Sequence, residues 1–436
     1  MTRNKDSLFS LNRRQLLQGA VAVGVMSAMG TRASFAATGP VRFGIYGSAT
    51  KLATRGKAVA RYQELHPEVQ VVFEGVPSDA WPDKIAAMVA GGNAPDEIAL
   101  AQQDLGQYAS RGALAPLDEY IGGLLNADAF DKSVLDLGRT ADGKLYGLPI
   151  AVSIQGLGYN QSALDRLKLP QPPAAWSMED YAKFCADIHT ADPKIYGSHD
   201  HGGHLVWFQM SMVADGRHLF GTDSLMTTAD EVAAWLDYWS KMRDTGGAVP
   251  PDLQTQFNNS EFPNAPLNKG TALFALMQSQ DISSGYQALQ KDTLGMTAPP
   301  SAKSGGNNGV YPNASSLVTM NAKSQFKEET VKLMNWFVTD PESAKVLGLV
   351  SGPPASKTEL AEVMKMTDIK PIDSKVLTYS LAALEHANPA PPSHRAERAM
   401  TDLLIRINES VAFGSSSIQD AATQFMSEGN DLMKQA

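Results

Sequence analysis

Cysteine is almost absent: Cys185 is the single one in 436 residues, so the chain can form no internal disulfide. A chain of this length has no need of one, because it can bury a large core. No Cys–His signature surrounds Cys185, which reads it as an inert core thiol rather than a nucleophile. The signatures of common enzymes are missing as well. There is no GxSxG, HExxH or GxxxxGK, and no GxGxxG following a strand. Carboxylates are numerous but form no pair that spacing singles out, so a secreted glycosidase stays open on this ground alone. Positive charge is in deficit, and the formal net charge is −9. Long apolar runs are scarce, and low-complexity tracts and internal repeats are absent.

The one weakly apolar run, Gly19–Gly30, belongs to the amino-terminal segment. Asn12-Arg13-Arg14-Gln15-Leu16-Leu17 precedes it in a twin-arginine pattern, and Ser34-Phe35-Ala36 follows with small residues at the cleavage spacing. The run is too short and too rich in Gly and Ala to span ~30 Å of hydrocarbon comfortably. Residues 1–36 are therefore expected to be a Tat-type export signal that is removed. No cysteine stands at the cleavage site for a lipid, so the expected product is free in the periplasm. Removing the leader's Arg3, Lys5, Arg13, Arg14, Arg32 and Asp6 from the formal −9 leaves −13. Such a surface opposes nonspecific contact with nucleic acid or anionic membranes.

The remaining chain begins with alternating strand and helix patterns. Strands are predicted at 41–46, 69–73 and 97–101, with helices through Val59, Tyr62 and Leu65 and through Trp81, Ile85, Met88 and Val89. This spacing predicts βαβ units on a parallel sheet. Gln103 and Asp104 fall where the third strand ends and a helix over 104–111 begins, the end at which open α/β sheets place ligands. From Gly143 the pattern changes. Leu148–Val152 carries Pro149, which makes it an exposed connector or edge rather than a central strand. Leu157-Gly158-Tyr159 is a strand, 162–169 a helix, and Ser177 with Asp180 starts the next helix with a capping box.

His199, His201 and His204 fall within six residues. A zinc reading needs further convergent ligands that nothing marks, so a solvated glycine-rich loop is expected and no metal is assigned. Trp207 and Phe208 are adjacent at a helix start and cannot both face one core, so one could stack on a ligand. Thr228 and Glu231 cap a helix whose Val232, Trp235, Leu236, Trp239 and Met242 point inward. The polar run through Gln280 and Asp281, and then Tyr311 and Asn313, stand next to predicted strands. His394, Arg395 and Arg398 open a late helix and are expected to face solvent.

Several of these phrases recur together elsewhere. Tyr146-Gly147-Leu148-Pro149, Leu157-Gly158-Tyr159-Asn160 and Trp176-Ser177 ahead of Asp180 follow one another in order. "HPEVQVVFE", "AGGNAPDEIAL", Leu114–Ile121, Asn268–Phe274, "KEETVKLMNWFVTDPESAKVL" and Gly352-Pro353-Pro354 extend the match. The set resembles the extracellular solute-binding proteins of sugar ABC importers, the maltose-binding-protein-like family, over nearly all of the chain beyond the leader. The resemblance implies a two-lobed type II periplasmic binding fold, each lobe a mostly parallel sheet flanked by helices. By this analogy lobe 1 comprises 37–149 and 301–352, and lobe 2 comprises 150–300 and 353–436, joined by crossings near 148–152, 298–301 and 352–354. It further implies a non-catalytic, cofactor-free, monomeric receptor that captures a mono- or oligosaccharide and hands it to membrane permease subunits. Another polar solute, a polyol or a glycerol phosphodiester, is the alternative, followed by a periplasmic carbohydrate-active enzyme. Ser153 and Gln155 lie on the crossing that faces the family's cleft, and Trp207 lies in the region that contributes a cleft aromatic. Gln280 and Asp281 occupy a loop where relatives often carry a stacking tryptophan that this chain lacks.

Overall fold

The computed structural model describes residues 39–257 and 262–435. The expected export leader lies outside the described residues. The strands are β1 (Val41–Tyr46), β2 (Val71–Val76), β3 (Glu97–Leu100), β4 (Gly147–Pro149), β5 (Val152–Asn160), β6 (Tyr196–Ser198), β7 (Ala272–Gln278), β8 (Leu294–Thr297), β9 (Pro312–Ala314) and β10 (Leu317–Met320). They form two sheets, one in the order β2-β1-β3-β10-β4 and the other β6-β7-β5-β8, with β9 paired to β5.

The first sheet starts as the βαβ pattern requires. Helix α1 (Ala49–Leu65) connects β1 to β2, helix α2 (Trp81–Ala90) leads to β3, and helix α3 (Gln102–Ser110) leaves it. Both pairings of β1 are parallel. β10 then enters antiparallel between β3 and β4. The expectation of a mostly parallel sheet fails in the second half, where β5 runs antiparallel to β7, β8 and β9. Among the described residues, only β6 and β7 are parallel there. Strand direction follows from how the chain returns, and residue patterns in β5, β7 and β8 carry no record of it.

Element boundaries moved by a few residues. β2 starts at Val71 rather than 69, β5 extends the predicted three-residue strand to nine, and α3 begins at Gln102, so it contains Gln103 and Asp104. β4 is an edge strand, as Pro149 dictates, but the connector is not exposed: Leu148, Ile150, Ala151 and Val152 are all buried. Both capping boxes form, Ser177 with Asp180 and Thr228 with Glu231.

Each sheet has its own core. In the first, Phe43 meets Phe337 edge-on at 5.3 Å. In the second, Trp176, Tyr181 and Phe274 interlock and run on through Tyr181–Trp207 into Trp235 and Trp239. Cys185 is fully buried here, and burial pushes its thiol pKa up, so it behaves as a small apolar side chain. Among the described residues, no helix is long and apolar enough to cross a membrane.

The histidine loop corrects another expectation. His199, His201 and His204 are not solvated; the first two are 1% and 5% exposed. Each spends a ring nitrogen accepting a backbone N–H. His199 Nε2 accepts from Leu267 at 3.0 Å, His201 Nε2 from Leu276 at 3.0 Å, and His204 Nδ1 from Trp207 at 3.2 Å. Burial lowers all three pKa values, to about 3 for His199 and about 4 for His204. These are neutral imidazoles that close open backbone groups. Next to them, the buried Arg243 is neutralised by Asp200 at 2.8 Å, with Asn408 bonded to both.

Candidate functional site

β5 lies inside the second sheet, paired to β7 and β8 and, at its start, to β9, and it organises the site. Its pairing partners put Ser153 opposite Asn313 and Gln155 opposite Gln278. Directly opposed residues in an antiparallel ladder share a face, as do residues two apart on one strand. One ribbon face therefore carries Ser153, Gln155, Gln278 and Asn313. Gln280 joins it by accepting a hydrogen bond from Ser153 Oγ at 2.8 Å and donating to Gln278 Oε1 at 2.7 Å. Ser315 adjoins Asn313, and its backbone N–H donates to the Ala151 carbonyl at 2.9 Å.

The face is unfinished. Gln155 Oε1, Asn313 Nδ2 and Ser315 Oγ are buried and have no hydrogen-bond partner among the described residues. A buried polar atom left without a partner costs roughly 1–3 kcal/mol. Two of them on neighbouring strands, with Ser315 just past β9, make a surface that a hydroxyl-rich ligand would complete.

The ends of the first-sheet strands flank this ribbon. Tyr46 closes β1, is half-buried, and stacks on Trp81 at 6.2 Å. Burial pushes its phenol up to about 12; Arg55 opposes that shift, while Asp104 and Asp281 add to it. Lys51, in the first turn of α1, reaches Asp281 just beyond β7 at 3.5 Å. Burial lowers the Lys51 pKa against the pull of Asp281, and burial raises Asp281 against the pull of Lys51. The ion pair thus spans an element of each sheet.

α3 supplies the other flank. Gln102 Oε1 accepts from the Ala314 N–H at 2.6 Å, which ties the helix start to β9. Gln103 is half-buried. Asp104 pairs with Arg398 at 3.5 Å, and burial raises its pKa with Arg398 opposing. Arg398 sits on the helix Glu397–Ala412, so it faces a carboxylate and not bulk solvent as expected. His394 is half-buried too, stacked on Phe220 at 5.1 Å, while Arg395 is exposed.

Seven of the nine sequence-derived candidates gather around these elements: Gln103, Asp104, Ser153, Gln155, Gln280, Asp281 and Asn313. Trp207 and Tyr311 stand apart. Both are buried, 3% and 4% exposed, in the same apolar cluster as Ile154 on β5. Trp207 packs on Tyr181, His201, Trp235 and Trp239. Sequence reasoning passed over Tyr46, Lys51 and Arg55, left Gln278 out of the candidate set and expected Arg398 to face solvent. The strand-end rule that found Gln103 would have found Tyr46 and Lys51 as well, since both flank the end of β1. No spacing could have found Arg398, whose partner is distant in the chain.

Residues 57–370 match the family described as bacterial extracellular solute-binding protein. A Brucella abortus protein named as a binding protein is 26% identical over 331 residues, spanning 72% of this chain and 75% of its own length. The maltotriose-binding protein of Pyrococcus abyssi is 24% identical over 350 residues, spanning 76% of this chain and 68% of that one. Among solved structures, a periplasmic oligogalacturonide binding protein from Yersinia enterocolitica, in complex with saturated digalacturonic acid, superposes with a TM-score of 0.80. That match covers 91% of this chain and 99% of the other at 18% identity, and shows the shared two-lobed type II binding-protein fold. With the family matched over most of its length and the fold shared, this chain belongs to the bacterial extracellular solute-binding protein family.

Proposed function

We propose that the protein is the periplasmic, monomeric substrate-binding component of an ABC importer that captures a carbohydrate between two lobes and delivers it to the membrane permease. The lobes in this reading are 37–149 with 301–352, and 150–300 with 353–436. The observation that carries the reading is the polar ribbon: amides and hydroxyls on one face of β5 and its neighbours, three of their atoms buried without partners. Sugar hydroxyls supply donors and acceptors together, which suits such a surface. A maltotriose-binding relative and an oligogalacturonide-binding structural neighbour support the same ligand class. The proposed ligand set is Gln103, Asp104, Ser153, Gln155, Gln280, Asp281 and Asn313, with Tyr46 as the aromatic contact. Trp207 and Tyr311 act from behind, by packing against the core side of β5.

A thermal-shift screen over mono- and oligosaccharides, followed by calorimetry on the hits, tests this. A ligand at a hundred times its dissociation constant adds about 2.7 kcal/mol to stability. Gln155→Ala and Asn313→Ala should each weaken binding about tenfold, the effect of losing roughly 1.4 kcal/mol. Parent-like affinity in both variants would remove the ribbon from the site. Recovery of the saccharide chemically unchanged is expected; new products would mean an enzyme.

A further inference from the structure

The corner where β1 meets α1 holds more positive charge than the fold itself neutralises. Arg55, on α1, is 2% exposed. Its Nη1 donates to the Tyr46 carbonyl, and its Nη2 donates to Ser351 Oγ at 2.9 Å and Ser316 Oγ at 3.3 Å. All three partners are neutral. Its Nε is buried with no partner, and no carboxylate lies within ion-pair distance of it among the described residues. The comparison with Arg243 is direct: that guanidinium is also buried, and Asp200 sits 2.8 Å from it. A buried charge is ordinarily paired because desolvation is expensive. Among the described residues, Arg55 is buried without a counter-ion.

Three further features point the same way. Lys51, one turn earlier on α1, adds a second cation, and Asp281 alone stands against the two at 3.5 Å from Lys51. Both cations lie at the amino end of a 17-residue helix that starts directly after β1, where the helix dipole and unpaired N–H groups favour an anion. Gly47 forms the turn between them; a Cβ there would lie 3.4 Å from Arg55 Nη1 and 2.8 Å from Lys51 Cβ, so the guanidinium lies beneath the helix start. Ser315, whose hydroxyl lacks a partner, is adjacent in sequence to the Ser316 that Arg55 holds.

We infer that the ligand carries one anionic group, a carboxylate or a phosphate on a hydroxyl-rich frame, and presents it to Lys51 and Arg55 while its hydroxyls meet the β5 ribbon. The substrate class is then an acidic sugar, either a uronate or a sugar phosphate. The inference rests on the carbohydrate reading of the cleft and narrows it.

Calorimetry with glucuronate, galacturonate and glucose 6-phosphate against glucose, galactose and maltotriose tests it. At least one acidic sugar should bind tenfold or more tightly than its neutral parent, and whether the uronates or the phosphate lead identifies the anion. Lys51→Met and Arg55→Met should each erase most of that preference, and Arg55→Lys should retain part of it. Arg55 also ties together three chain segments, so its Met variant could fail to fold; Lys51→Met, on a partly exposed side chain, then decides. Tight binding of a neutral sugar with the acids rejected would overturn the charge assignment and leave the carbohydrate reading standing. An acid preference untouched in Lys51→Met and any folded Arg55 variant would also overturn it. If no saccharide of either kind binds, both readings fall together.

Discussion

At the scale of single residues, burial decides what each ionisable group does. His199 and His204 are held neutral, with pKa values near 3 and 4, because burial penalises the charged imidazolium. An unfolded histidine titrates near 6.5. Below that value the unfolded chain binds more protons than the folded one, so stability falls with pH. The contribution is complete above about pH 6.5 and is lost as pH drops toward the folded values. Glu397 acts in the opposite sense: burial raises it to about 7, so its contribution is present at low pH and lost as pH rises through that value. His204→Asn isolates the first effect, since asparagine also caps a helix well. The variant should match the parent's melting temperature near neutral pH within a few degrees. Between about pH 6.5 and 4 its melting temperature should fall less steeply. An equally steep fall would show that His204 takes no part in the acid sensitivity.

At the scale of elements, close approach matters more than propensity. The helix Met178–Ala191 packs on β6 so tightly that a Cβ on Gly197 would lie 2.2 Å from Cys185 Cβ. Neither atom can move without displacing a helix or a strand. Gly197→Ala should therefore destabilise by roughly 1–3 kcal/mol, the usual effect of overpacking a dense core. Urea unfolding should show a lower midpoint at an unchanged slope. A midpoint equal to the parent's would mean that the helix and strand slide apart freely. The capping boxes at Ser177 and Thr228 show the converse case, in which local chemistry sets a boundary that packing leaves in place.

At the scale of the whole molecule, polar contacts join elements of the two sheets beside apolar ones such as Val152 of β5 in the first sheet's core. The Lys51–Asp281 and Asp104–Arg398 ion pairs, each 3.5 Å, join segments far apart in sequence. Near the second pair, α3 approaches the segment before the Glu397–Ala412 helix so closely that a Cβ on Gly106 would lie 3.0 Å from the Arg395 nitrogen. Hinge closure around a ligand requires contacts that only the closed arrangement makes. Small-angle scattering should show a smaller radius of gyration with saturating ligand than without. Gly106→Val should hold the lobes apart, so its bound form should stay near the ligand-free radius and its affinity should drop. Parent-like closure and affinity in that variant would argue against α3 as a closing surface.

Much was legible before folding. The βαβ start, the capped helices, the edge character that Pro149 imposes and the polar residues at strand ends all follow from local rules, because each is set by a residue and its near neighbours. Asn313 could be suspected from its position beside a predicted strand, and Ser153 and Gln155 from the crossing that the family resemblance marks. That Ser153 faces Asn313 and Gln155 faces Gln278 depends on register, which forms only when distant segments pair. The antiparallel second sheet, the burial of the histidine loop and the pairing of Arg398 with Asp104 are likewise tertiary outcomes. The same holds for Arg55. Its place one turn after Lys51 is written in the chain, but only the packing of α1 removes it from water and leaves it without a counter-ion among the described residues, because burial and ion pairing are properties of the neighbours that folding brings.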